Sequence, residues 1–349
     1  MTSPDSSTED WGGFARECEA AGLEVRLDHS LAEHTTYGVG GPARCVVMVA
    51  GPGDIRAMAT VTGRHRRLDT LIIGKGSNVL VSDEGFDGVA IVMVTSVSGD
   101  DVVCDGDIVD APAAMPLPIL ARRCASLGRR GLEWAVGVPG TVGGAVRMNA
   151  GGHGSDMHEA VVDADVISLH SGREVRVMAH DLGFHFRGSA LAPHHLVMRV
   201  RFRTSAGDRD RSMETIESIV AWRRAHQPGG RNAGSVFVNP DDGAVAAGAL
   251  IDASGLRGLR VGGAEVSSKH ANFIQADTAA RARDIVELMC VVQDRVEIDH
   301  GVRLTSEIRL VGFEREVLQR FSDPRHSESR HVETSRSLAR LLGEGGGVQ

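Results

Sequence analysis

Two glycine-rich segments hold the residue types best suited to chemistry. In the first, the apolar run Leu71-Ile72-Ile73 stops at Gly74-Lys75-Gly76-Ser77-Asn78, and Val79-Leu80 resumes it. Two glycines permit left-handed backbone and close approach, so successive N–H groups can converge on one anion, with Ser77 and Asn78 adding side-chain donors. The segment is not a Walker loop, because Lys75 is not followed by Ser or Thr and the upstream glycine is missing. Val79 in the sixth position also excludes the G-x-G-x-x-G dinucleotide fingerprint. A β-hairpin turn remains an equal explanation. In the second segment Gly137, Gly140, Gly143 and Gly144 fall close together, Pro139 stiffens the loop, and the small-residue run Met148-Asn149-Ala150-Gly151-Gly152-His153-Gly154 follows. So many glycines cost conformational entropy without offering packing, which favours contact with a flat ring or a pyrophosphate.

The whole chain sets limits on that ligand. Its 349 residues allow two or three domains, and 42% hydrophobic with 24% charged residues is ordinary for a globular protein. A net charge of −8 argues against a nucleic-acid surface but leaves room for a small anionic ligand in a local field. Five scattered cysteines, without C-x-x-C spacing, predict no zinc site and a reducing compartment. The N-terminus lacks a basic and apolar leader, and Val89–Val94, among the longest apolar runs, is too short for a bilayer. A cytoplasmic protein with no membrane contact is expected.

The elements that must position the loops can be read from periodicity. A short helix is expected near Trp11–Ala21, then a strand at Cys45–Val49, a turn and cap at Pro52–Asp54, and a helix from Ile55. Strands at Leu71–Ile73 and Val89–Val94 complete a small α/β unit. A helix at Leu117–Leu127, strands at Ala160–Leu169 and Leu196–Thr204, and a helix at about Arg211–Ala225 follow. In the second of those strands Leu196, Met198, Val200 and Phe202 share one face, and Arg199, Arg201 and Arg203 the other. The clearest late helix carries Ile285, Leu288, Met289, Val292 and Val296, with Asp277 or Thr278 as its cap, and a strand Val302–Leu310 closes the region. After Gly312 the composition predicts a mobile polar tail with one weak helix.

Ordered blocks across some four-fifths of the chain resemble the UDP-N-acetylenolpyruvoylglucosamine reductase (MurB) family, which shares its FAD domain with vanillyl-alcohol-oxidase-type flavoproteins. They are Thr35–Ala43, Gly74–Asn78 with Val81–Gly88, Gly137–Ala145 with Met148–Gly151, Phe186–Ser189, Gln227-Pro228, Ala233–Pro240, Ala247–Asp252, Lys269–Phe273 and Leu304–Gly312. The resemblance implies an α+β fold, with two FAD-binding α/β subdomains at residues 21–97 and 98–230 and an α+β substrate-binding domain at 231–312. A polar tail and short helix (1–20) and a polar tail (313–349) flank them. The interval of 48 residues from Arg187 to Ser235 resembles the subtype without an inserted tyrosine loop.

The family's chemistry implies non-covalent FAD, NADPH as reductant, no metal, and UDP-N-acetylglucosamine enolpyruvate as substrate, reduced to UDP-N-acetylmuramate by a monomer in peptidoglycan precursor synthesis. The FAD contacts implied are Tyr37, Val39, Gly40, Gly74, Lys75, Gly76, Ser77, Asn78, Gly137, Pro139, Gly140, Thr141, Val142, Gly143, Gly144 and Ala145. Ser235 is implied as the proton donor to C2, Arg187 and Glu307 as the other catalytic residues, and Arg223, Gln227, Asn239, Lys269 and His270 as substrate contacts. Read without the resemblance, Ser235 is a turn serine, Arg187 a surface arginine, and Glu307 part of a solvated strand face with Arg303, Thr305 and Arg309. Phe186, Val238, Thr305 and Ala111–Ala113 depart from the family pattern. Those departures keep open a paralogous flavin reductase with another substrate; a non-catalytic flavin or nucleotide-sugar binder is the remaining alternative.

Overall fold

Short aliphatic runs separated by one crossover helix build the first sheet. The structure, a computed structural model, describes residues 10–95, 101–240, 244–322 and 332–344. Its first elements are α1 (Trp11–Ala20), β1 (Glu24–Ser30), β2 (Pro42–Val49), α2 (Pro52–Thr62), β3 (Thr70–Ile73), β4 (Val79–Val81) and β5 (Phe86–Met93). The sheet runs β1-β2-β5-β3, with β5 parallel to both β2 and β3. Parallel strands need a crossover, and α2 provides it between β2 and β3, which flank β5. Helix α2 starts at Pro52 rather than Ile55, because proline lacks only an N–H that the first turn leaves unpaired.

The second unit comprises β6 (Val103–Asp105), β7 (Ile108–Pro112), α3 (Leu117–Ser126), α4 (Val142–Arg147), β8 (Val161–Ser168), β9 (Glu174–Met178), β10 (His195–Arg203) and α5 (Arg209–His226). Its sheet is antiparallel in the order β9-β8-β10-β7-β6. Ile167, Leu169, Leu196 and Met198 pack into the same core as Phe14, Met58 and Ile91 of the first unit, which joins the two sheets. Strand β10 and helix α5 fill most of the stretch between Arg187 and Ser235.

Leu196, Met198, Val200 and Phe202 of β10 are all buried, but they do not share one face. A register shift against β8 turns Leu196 and Met198 into the core shared with the first unit, while Val200 and Phe202 enter the second sheet's core. Nor are the arginines of β10 all solvated. Arg201 is only 8% exposed. Its Nε donates to Asp163, and its two terminal nitrogens donate to Asp165 at 2.9 and 2.7 Å. These partners on β8 hold the guanidinium charged, well above the ordinary arginine pKa. Arg201→Met removes the cation and strands two aspartates, so we expect a loss of about 3–5 kcal/mol in urea unfolding. Arg199→Met, at a more open pair, costs about 1 kcal/mol or less.

The C-terminal elements are α6 (Ala247–Ala253), β11 (Ala264–Val266), β12 (Ile274–Ala276), α7 (Ala282–His300), β13 (Arg309–Val311), α8 (Arg315–Phe321) and α9 (Val332–Leu341). The expected stripe of α7 is buried. Its start is not at Asp277 or Thr278: the Asp83 carboxylate accepts from the N–H groups of Ala282 and Arg283 at 2.9 and 3.0 Å. A cap from 199 residues away satisfies the orphan donors and the helix dipole together. The strand expected over Val302–Leu310 shortens to β13, which pairs in parallel with β4. Two described helices follow Gly312 where one weak helix was expected, and both are packed. Phe321 enters the C-terminal core, while Leu338 and Leu342 are fully buried against the second sheet's core. A few apolar residues in a polar background suffice once a groove receives them.

Candidate active site

The first glycine loop is the turn from β3 into β4, and the second leads into α4. Gly76 has φ +60°, and a Cβ there would lie 2.1 Å from the His34 carbonyl oxygen. A Cβ on Gly74 would lie 2.3 Å from the Thr141 hydroxyl oxygen. Only glycine fits such approaches. Ser77 Oγ donates to the Pro139 carbonyl at 2.9 Å, and Thr141 caps α4 by accepting from the Gly144 N–H. Between the loops opens a cleft of about 270 Å³, partly open to solvent.

Most of the residues singled out by the sequence reach its wall: Gly74–Asn78, Gly137, Pro139, Gly140, Thr141, Gly144, Ala145, Arg187, Arg223, Gln227, Ser235 and Glu307. Others lie behind it. Tyr37, Val39 and Val142 are core residues, Gly40 packs on Val81, and Gly143 packs on Ala113. Three lie outside the wall: Asn239 Oδ1 accepts from the Ala247 N–H at the start of α6, Lys269 Nζ donates to the Arg224 carbonyl, and the His270 ring packs on Phe273.

Backbone bonds around Glu307 bring together three segments distant in sequence. Its N–H donates to the Val236 carbonyl at 2.8 Å, beside Ser235, and its carbonyl accepts from Asn78 Nδ2 at 3.2 Å. Arg187 sits in a tight turn closed by mutual bonds between His185 and Gly188, with φ +55°. An arginine in the left-handed region is strained, and Asn149 Nδ2 pins the turn at the His185 carbonyl. From there Arg187 Nε donates to Glu307 Oε1 at 2.6 Å, while its Cζ lies 5.0 Å from the Phe186 ring centroid. The Glu307 side chain is 16% exposed, not part of a solvated strand face. The reason is tertiary: residues 304–308 do not continue β13 but are held by bonds to Val236, Val238 and Phe321. Burial pushes the Glu307 carboxyl above its usual pKa, although Arg187 pulls the other way. The Ser235 hydroxyl makes no hydrogen bond to another described residue.

The lining is strongly cationic. Lys75, Arg147, Arg187, Arg223 and Arg309 face Glu307 as its one carboxylate. Arg147 and Arg309 make no ion pair with a described residue; burial, together with the Arg309 charge, pushes Arg147 down to about 9, and burial also lowers Arg309. Arg223 is lowered by burial too, its Nε donating to Gln227 at 2.7 Å. Half-buried cations without counter-charges, in a chain of net charge −8, call for an anionic ligand. The sequence reading missed Arg147 and Arg309 as cleft residues. Arg309 shares Glu307's face by the i, i+2 rule, so that face once assigned to the cleft would have revealed it; Arg147 gave no signal beyond following the glycines.

The glycine cradle and the uncompensated cations fit a dinucleotide carrying a diphosphate. Residues 43–178 match the FAD binding domain family, and residues 226–311 match the UDP-N-acetylenolpyruvoylglucosamine reductase C-terminal domain. The UDP-N-acetylenolpyruvoylglucosamine reductase of Synechococcus sp. (strain RCC307) is 40% identical over 295 residues, covering 84% of this chain and 95% of that protein. The Chloroflexus aurantiacus protein of the same name is 37% identical over 294 residues, covering 81% and 96%. The crystal structure of UDP-N-acetylenolpyruvylglucosamine reductase (MurB) from Thermus caldophilus superposes with a TM-score of 0.68 at 33% identity, covering 83% of this chain and 98% of that one. With its α+β architecture, its FAD-binding domain and its cationic cleft, the chain belongs to the UDP-N-acetylenolpyruvoylglucosamine reductase family, FAD-dependent oxidoreductases.

Proposed function

We propose that the chain reduces UDP-N-acetylglucosamine enolpyruvate to UDP-N-acetylmuramate, with NADPH as reductant and non-covalent FAD held in the cleft. The observation that carries this reading is the cationic cleft in which the Arg187–Glu307 pair stands beside the unengaged Ser235 hydroxyl. When bound, FAD would supply the hydride-transfer chemistry that links NADPH to the enolpyruvyl C3.

The protein's own groups do the rest. Gly74–Asn78 would hold the diphosphate with backbone and side-chain donors, whereas the N–H groups of Val142, Gly143 and Gly144 at the start of α4 are already bonded to Met115, Ala113 and Thr141. Arg187 offers a planar, permanent charge to the substrate carboxylate as negative charge builds there. Ser235 supplies the proton to C2, and Glu307, its carboxyl raised by burial, holds Arg187 in place and restores the proton balance. Arg223 and Gln227 bind the nucleotide part within the cleft; Asn239, Lys269 and His270 meet only those parts of the substrate that extend past its wall. No described helix is long and apolar enough to cross a membrane, and the five cysteines are free; both fit work in the cytoplasm on a nucleotide precursor.

Purified protein is expected to be yellow and to oxidise NADPH rapidly only when UDP-N-acetylglucosamine enolpyruvate is added. A folded, colourless preparation that does not take up FAD would overturn the reading. Bound flavin without substrate-dependent turnover would favour a paralogue with another substrate, to which the departures at Val238 and Thr305 point. The backbones of those two residues are bonded to each other at 2.9 Å, so both belong to one stretch beside Glu307.

A further inference from the structure

Glu344 lies beyond the residues matched by the family, which end at 311, in the segment that follows α9. That segment is fixed by burial of Leu338 and Leu342 and by Ser171 Oγ donating to the Leu342 carbonyl at 2.5 Å. Three donors converge on the Glu344 carboxylate: Ser168 Oγ, His194 Nε2 at 3.1 Å and His195 Nε2 at 3.1 Å. The His195 ring also accepts, at Nδ1, the N–H of Ala192 at 3.0 Å. An imidazole that accepts at Nδ1 carries its proton on Nε2, so His195 faces Glu344 as a donor. That tautomer also argues against a metal ion among His194, His195 and Glu344, since a ligating Nε2 must be bare.

The relay continues into the cleft. The Ala192 carbonyl accepts from Arg147 Nη1 at 2.9 Å, and Arg147 lines the cleft with the adjoining Pro193. No other hydrogen bond from a described residue holds that guanidinium, so its aim depends on where the Ala192 carbonyl points.

We propose that Glu344 is a positioning residue for the FAD site, acting through His195 and Ala192 to aim Arg147 at the bound cofactor. The carboxylate fixes the imidazole, the imidazole holds the Ala192 N–H, and the Ala192 carbonyl, which also accepts from the His195 backbone N–H at 2.9 Å, holds the guanidinium. The inference rests on the reading of the cleft as an FAD site. It also gives the C-terminal segment a task that the matched region does not contain.

A double-mutant cycle on the full-length protein tests it, with the FAD dissociation constant read from recovery of free-flavin fluorescence on dilution of the holoenzyme. Glu344→Gln keeps the shape but removes the charge, and is expected to weaken FAD binding about tenfold, equivalent to about 1.4 kcal/mol. In an Arg147→Met background the same change is expected to have less than about a twofold effect, because its route to the cofactor is already cut. Equal losses in both backgrounds, or no loss in the first, would overturn the proposal, since a merely structural contribution adds independently of Arg147. Glu344→Asp, which keeps the charge, serves the same cycle if the glutamine variant does not fold. Failure of the parent protein to bind FAD would overturn the reading of the cleft itself, an outcome distinct from an additive cycle on a flavin-bearing parent.

Discussion

Ser235→Ala is expected to leave reduction of the bound flavin by NADPH within about twofold of the parent, while slowing reoxidation by the enolpyruvyl nucleotide about 10²–10⁴-fold. The asymmetry follows from what the hydroxyl does. It lines the cleft and engages no described residue, so its removal disturbs no internal bond. Hydride arrival from NADPH needs no proton at the substrate C2; the second half-reaction does. Stopped-flow flavin absorbance separates the two steps. Equal slowing of both would assign Ser235 to binding rather than proton donation.

The second large effect is at Glu307. Glu307→Ala leaves Arg187 without its partner in a turn that is already strained, while the backbone bonds to Asn78 and Val236 remain. We expect turnover with the enolpyruvyl nucleotide to fall by about 10³-fold, the middle of the range for general acid–base and electrostatic contributions. Glu307→Gln is the sharper probe. Its amide oxygen can still accept from Arg187 Nε and its backbone bonds are untouched, so FAD should be retained, yet it can neither ionise nor pass on a proton. A glutamine variant as slow as the alanine variant assigns the carboxyl a chemical role. One with nearly parental turnover would reduce Glu307 to a clamp on Arg187.

The ways in which sequence and structure diverge share one cause. Period-2 and period-3.6 patterns say which residues of an element share a face, and they did so correctly for α7, whereas in β10 a register shift against β8 divides the apolar residues between two cores. They do not say what covers the opposite face. The partners of Arg201 are not legible from its strand because the aspartates lie on another one, 36 to 38 residues earlier. Glu307 looked solvated because the segments that enclose it begin at Asn78, Arg187 and Val236. The start of α7 was misplaced because its cap is Asp83, from the turn after β4. The tail looked free because Leu338 and Leu342 are few, and their groove belongs to a different sheet.

By itself, then, the sequence determined the glycine loops, the order of the main elements and, through its ordered motif blocks, the family and its flavin. Each of these is carried by local backbone demands or contiguous patterns, which short stretches of chain express alone. The tertiary structure decided which charges are buried and what they face: the Arg187–Glu307 pair, the cleft arginines Arg147 and Arg309, and the run of bonds from Glu344 to the cleft. The Arg187–Glu307 pair and the Glu344–His195 bond each join residues more than 100 apart, and Arg147 meets Ala192 across 45. An ionisable group's environment is set by whatever packs against it, and no local pattern records that.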